Sequence, residues 1–300
     1  MPVDFTKLFG NGGAVLGPTL STNFFESRTW IAPQDGIVIV RGMGAGGGGA
    51  RSYTSATGGY SGSWGCKIVR VKKGDTIGVA IGAGGIGRHG TEGNGGPGGN
   101  TVITIGGVQY IAYGGPGGVA LATGPLPNGP SPSANWDFGA ASVRPGWAAG
   151  QTGGAGVDIL AQGNNATTSA STLYSGGGGT GAPGNGGGGG GAMSLGRSGL
   201  GSGPSNPAVT FDASQGEWGI SFYGGSGNSE PSGMGGNGGG GGVGGGTGGN
   251  GGGGGANGSG PAGEGGIGGG GGSVGGGEAA SGGLGGQGFA HLKFFADMGV

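Results

Sequence analysis

The residues able to do chemistry are few and scattered. One cysteine, Cys66, and two histidines, His89 and His291, are the only thiol and imidazole groups in 300 residues. Structural zinc sites are built from four such ligands, so a dense metal cluster is not expected, and no cofactor is expected either. Cys66 sits in Trp64-Gly65-Cys66-Lys67-Ile68 and reads as a small buried hydrophobe in a strand, because no activating partner lies near it in sequence. Arg88-His89 lies in a glycine loop and reads as an exposed polar tip rather than an acid–base pair. Asp212 with Glu217, or Asp137 with Asp158, could form the carboxylate pair of a glycoside hydrolase. Other carboxylates pair as easily, so nothing selects these and the chain is not expected to be an enzyme. Gly-x-Gly-x-x-Gly recurs by composition alone. None of these matches opens a predicted helix after a strand, and Gly-Lys-Ser/Thr is absent.

Charge narrows the partners. The chain carries 12 Lys+Arg against 13 Asp+Glu, a net charge of -1, with 8% of residues charged. No basic field exists to hold phosphates, so nucleic acid is not an expected partner. No polybasic stretch offers attraction to a membrane surface. No run of about 20 apolar residues predicts a transmembrane helix. The opening MPVDFTKLFG does not read as a Sec-type signal peptide. The single cysteine cannot form an intrachain disulfide.

The elements that must position any site are built mostly from glycine, 100 of 300 residues. Ordering that many glycines costs on the order of 100–200 kcal/mol of backbone entropy. Collagen is excluded, because 15 prolines are too few and no single Gly-X-Y frame runs through the chain. Strands are predicted at Gly36–Arg41, Cys66–Val71, Thr76–Ile81, Thr101–Ile105 and Val108–Tyr113, from β-branched content and flanking turn residues. Gly106-Gly107 predicts a two-residue hairpin turn. Phe289–Phe295 predicts a terminal strand that returns to close the sheet. Glycine up to about Gly118 reads as turns between these strands.

From Gly233 to Gly277 glycine falls into Gly-Gly-X blocks with three phases. Met234, Asn237, Gly240 and Val243 keep the first. Thr247, Asn250, Gly253, Ala256, Ser259 and Ala262 keep the second. Glu264, Ile267, Gly270, Ser273 and Gly276 keep the third. Period three fits a helix of polyproline-II shape, which makes no internal hydrogen bonds. Side by side, glycine faces let such rods bond to one another, and each phase slip predicts a turn. As one rod the block would reach roughly 140 Å, so several rods of about 30–45 Å each are expected. An isolated flexible linker is the alternative.

The order of these features resembles the glycine-rich domain of tailed-bacteriophage tail-fibre and receptor-binding proteins. It is carried by Trp30-Ile31-Ala32-Pro33-Gln34-Asp35-Gly36 before a first strand and by Gly42-Met43-Gly44-Ala45-Gly46-Gly47-Gly48-Gly49 after it. Val71-Lys72-Lys73-Gly74-Asp75-Thr76-Ile77-Gly78-Val79, leading to Ile81-Gly82-Ala83-Gly84-Gly85, and the closing strand complete it. More loosely, the chain is similar to long-tail-fibre tip adhesins, whose polyglycine-II sandwich presents loops to bacterial receptors. The resemblance covers about residues 30–300.

The expected fold is all-β, a β-sandwich-like unit combined with a bundle of polyglycine-II helices and almost no α-helix. An attachment arm is expected over 1–29, a β-rich region over 30–125 closed by a strand at 288–297, and a glycine-rich region with aromatic loops over 126–287. The resemblance implies a virion protein of the phage tail that binds a host surface receptor, protein or polysaccharide, and other tail proteins. A homotrimer or a fibre-bound subunit is the expected state. Receptor contact would fall on loop aromatics, namely Tyr53, Tyr60, Trp136, Phe138, Trp147, Tyr174, Trp218 and Tyr223. The competing reading has these side chains filling gaps in a structure poor in side chains. Phe5, Leu8, Phe9, Phe24 and Phe25 are the attachment candidates. A purely structural virion component is the alternative function. Mixed Asn, Val, Gly, Glu and Met at the X positions argue against ice binding.

Overall fold

A computed structural model describes residues 16–54, 56–120, 129–142, 247–248, 253–255, 257, 260–274 and 281–297. Its regular elements are strands β1 (Leu16–Phe24), β2 (Arg28–Ile31), β3 (Gly36–Met43), β4 (Trp64–Val71), β5 (Thr76–Ala80), β6 (Thr101–Ile105), β7 (Val108–Ala112), β8 (Phe138–Ala140) and β9 (Phe289–Asp297). The fold is all-β. Two antiparallel sheets, ordered β1-β9-β3-β4-β8 and β2-β5-β6-β7, pack face to face.

Period-two alternation explains the sandwich. Val38 and Val40 of β3 and Leu292 and Phe294 of β9 point inward. They meet Ile77 and Val79 of β5, Ile103 of β6 and Tyr110 of β7 in one buried core. Gly106 and Gly107 close the β6–β7 hairpin with φ of 55° and 80°, the doubly positive geometry of a type I′ turn. The terminal strand does close the first sheet, pairing with β3 on one side and β1 on the other. Residues 16–24, read from sequence as part of an arm, are the edge strand of that sheet.

The glycine of the first half is not mere turn. Where a strand runs out of side chains, its chain continues as a glycine-rich rod bonded sideways to other rods. Rod 1 (residues 44–51) continues β3, and rod 2 (57–63) leads into β4. Rod 3 (82–88) follows β5, rod 4 (93–99) leads into β6, and rod 5 (113–119) follows β7. Beyond a second glycine-rich stretch lie rod 6 (261–267), rod 7 (269–274) and rod 8 (282–288), the last running straight into β9.

Rod 1 is the axis of this bundle. Gly44, Gly47 and Ala50 donate their amides to Ser63, Tyr60 and Thr57 of rod 2. Ala45 and Gly48 donate to Gly99 and Gly96 of rod 4, and Gly46 and Gly49 to Gly286 and Gly283 of rod 8. In return Ala45 and Gly48 accept from Gly115 and Gly118 of rod 5. Gly46 and Gly49 accept from Gly85 and Arg88 of rod 3, and Gly47 and Ala50 from Gly271 and Val274 of rod 7. Every third residue therefore faces the same neighbour. The rods that accept from rod 1 run antiparallel to it, and the rods that donate to it run parallel. Successive neighbours also bond to each other around the ring, in the order rods 2, 5, 4, 3, 8 and 7. This lateral bonding satisfies backbone groups that a side-chain core cannot reach.

The spacing leaves no room for side chains. A methyl group on Gly46 or Gly49 would strike the carbonyls of Gly269 or Gly272 of rod 7, and one on Gly48 the carbonyl of Ile86 of rod 3. Two boundaries therefore differ from the sequence reading. The bundle draws five of its eight described rods from within residues 30–125, because strand and rod are consecutive parts of one chain path. The phase slip between Ala262 and Glu264 predicted a turn there. The chain instead passes straight through and turns at Gly268, whose φ of 71° a side chain would disfavour. The predicted blocks over 233–246 lie outside the described residues.

Candidate functional site

Because rods 1 and 3 leave the sandwich and rods 2 and 4 return to it, the connections between rods 1 and 2 and between rods 3 and 4 lie at the end of the bundle farthest from the sheets. There the loop after rod 1 meets the loop after rod 3. Arg51 and Gly93 exchange backbone hydrogen bonds at 3.1 and 3.0 Å. The Tyr53 amide donates to Glu92 Oε1 at 2.6 Å, and the Ser52 hydroxyl donates to the same oxygen at 2.9 Å. These donors, the Tyr53 amide first, hold the Glu92 carboxyl below its usual range, so it stands ionised at the surface. Gly90 turns the second loop with a φ of 74°. The Arg88 guanidinium closes that loop on Thr91, with Nη2 donating to Oγ1 at 2.7 Å.

Arg51 anchors the tip from inside. It is fully buried, its Nη1 donates to the Gly90 carbonyl, and its Nη2 donates to the Tyr53 hydroxyl at 3.3 Å. Its guanidinium lies 5.5 Å from the centre of the Tyr53 ring. Tyr53 is thus held at both ends while remaining 52% exposed. The tip offers a pre-positioned aromatic face, an ionised carboxylate and the hydroxyls of Thr54 and Thr91. Such groups can stack on an apolar or sugar face and accept or donate hydrogen bonds at its rim.

The other candidates divide. Tyr60 is buried inside rod 2, where its backbone bonds to rods 1 and 5. Trp136 is buried against Tyr110, ring centres 5.5 Å apart, and its indole N–H donates to the Ile111 carbonyl at 3.1 Å. Both are buried, so neither side chain is available for contact. Phe138 lies on β8, the edge strand beside β4, and is exposed. Trp147, Tyr174, Trp218 and Tyr223 lie outside the described residues. Of the attachment candidates, Phe24 is buried in the sandwich core and Phe25 is exposed beside Phe289. Phe5, Leu8 and Phe9 lie outside the described residues.

The catalytic alternatives gain little from the geometry. Asp137 is occupied by the Lys67 ammonium at 2.6 Å and the Ile68 amide at 2.9 Å. Asp158, Asp212 and Glu217 lie outside the described residues. Ser21 Oγ stands 2.8 Å from His291 Nε2, the spacing of a nucleophile and its base. Yet His291 is completely buried, with cationic Arg41 across the sheet and Lys293 beside it. Burial first, then those two cations, hold its pKa down to about 3, which makes it a poor base. Cys66 faces Arg41 from the next strand, and burial pushes its thiol up. Among the described residues no group of three or more His, Cys, Asp or Glu could hold a metal ion. No described helix is long and apolar enough to cross a membrane.

Sequence reasoning singled out Tyr53 but missed Arg51 and Glu92. The available signal was their rarity, as charged side chains close to glycine-rich stretches in a chain that is 8% charged. Comparison with protein-family models and with curated protein sequences finds no match.

Proposed function

We propose that this protein is a tail-fibre or tail-tip adhesin of a tailed bacteriophage, binding a host surface receptor through loops at the far end of a rigid glycine bundle. Within this reading the glycine-rich rods form a polyglycine-II bundle and the chain acts as a virion component without catalysis. The observation that supports it most is Tyr53, exposed at the end remote from the sheets and fixed there by buried Arg51 and ionised Glu92. A preorganised aromatic loses little conformational freedom on binding, which suits recognition. A purely structural role is the second reading, favoured by the burial of Tyr60 and Trp136.

Labelled full-length protein incubated with a panel of bacteria separates the two. An adhesin binds a subset of strains and blocks adsorption of the phage that infects them. A correctly folded chain that binds no strain, including the host of the phage carrying it, removes the adhesin reading.

A further inference from the structure

One flank of the molecule is built to be covered. Rods 3 and 8 are adjacent and antiparallel, with Gly282, Gly285 and Gly288 donating to Arg88, Gly85 and Gly82. That register sets Ile86 opposite Leu284, Ala83 opposite Gln287 and His89 opposite Ser281. Ile86 is 68% exposed and Leu284 42% exposed. Rod 6 extends the same face, because Ala262 donates to Ser281, just before rod 8, and Gly265 to Leu284 within it. Rods 3, 8 and 6 thus form a flat three-rod surface with an apolar pair at its middle.

The flank continues onto the sandwich. Rod 3 extends β5, whose outer neighbour is β2, and rod 8 extends into β9, whose outer neighbour is β1. Both β1 and β2 are edge strands of their sheets. At the junction Phe25 packs on Phe289 with ring centres 5.3 Å apart, and the Ile81 amide donates to Ser27 Oγ at 2.9 Å. Leu20 and Phe25 are exposed beside this line, as is Ile31 at 61%. Isolated exposed apolar side chains need no explanation, but a line of them along two edges that no other described strand pairs with does.

We infer that this flank is the interface of a homodimer. Its chemistry is self-complementary. Edge strands and rods both present N–H donors and C=O acceptors in alternation, so a copy related by a two-fold axis meets partial positive with partial negative charge along the whole line. The Ile86–Leu284 pair on antiparallel rods then packs on its own counterpart. The size is also adequate. A rod of about 20 Å plus a strand of about 30 Å, some 15 Å wide, gives about 700 Å² per copy, close to the ~800 Å² of a standard interface.

The proposal does not depend on the adhesin reading. Its test is sedimentation of the full chain across about 1–100 μM, where such an interface would form. Wild type is expected to sediment as a dimer at the upper end, and Ile86→Glu/Leu284→Glu as a monomer with an unchanged circular dichroism spectrum. A wild type that stays monomeric overturns the proposal, and so does a dimer that this variant leaves intact. If the variant does not fold, Ile86→Cys decides, since the native thiol of Cys66 is buried. Cross-linking of the dimer by a short bis-maleimide supports the flank, and its failure overturns it.

Discussion

Gly46 donates its amide to the carbonyl of Gly286 at 2.8 Å, tying the first glycine run of the chain to the last rod before its closing strand. Bonds of this kind do the work that side-chain packing does elsewhere, and they tolerate no Cβ on the inward positions.

Gly46→Ala and Gly49→Ala should therefore each cost about 2 kcal/mol or more, the penalty of overpacking a site that cannot relax. Gly78→Ala is the control. A methyl group there meets Thr104 Cβ only at 3.6 Å, so the change should be neutral or stabilising by up to about 1 kcal/mol. Chemical denaturation of the three variants checks the contrast.

Amide hydrogen exchange should find Gly46 to Gly49 among the slowest-exchanging residues, matching Val38 and Val40 of the sandwich. Fast exchange at the rod axis with slow exchange in β3 would mean that the bundle is not a cooperative part of the fold.

His291 makes stability depend on pH. Its folded pKa is about 3 against an ordinary 6.5, so between those values the unfolded chain takes a proton that the folded chain refuses. Its neutral form supports the fold fully above pH 6.5, and this support is lost as pH falls toward 3, by at most about 1.4 kcal/mol per pH unit. His291→Gln should flatten the curve relative to wild type over that window, measured by denaturation at stepped pH. Identical slopes would remove His291 as the cause.

Trp136→Ala should cost about 3–5 kcal/mol, the usual loss for a buried tryptophan, while leaving receptor binding of the folded fraction unchanged. Thermal melts and cell binding on one preparation separate the two effects.

Much of the sandwich was legible in the sequence because its signals are local. Val38, Val40, Ile103 and Ile105 alternate within short runs, and Gly106-Gly107 marks its own turn. Rod 1 was not legible. Gly44 to Ala50 looks like a loop from its neighbours in sequence, and its partners lie in rods that start as far away as residue 282. The turn at Gly268 was missed for a related reason, since any of several glycines there could take a positive φ and packing chose one. For Tyr60 and Trp136 the sequence left receptor contact and gap filling both open, because an aromatic beside glycine carries no mark of whether the glycine is exposed or packed. Tyr53 and Tyr60 are separated by only a few residues, yet one tops the bundle and the other lies within it.

The most direct test of the account is host-cell binding by Tyr53→Ala and Glu92→Gln beside wild type, each first shown to be folded. Wild type is expected to bind and to block phage adsorption, and both variants to lose binding by about tenfold or more, the scale of a hot-spot residue. Wild-type binding that survives both substitutions unchanged would contradict the tip as the recognition surface.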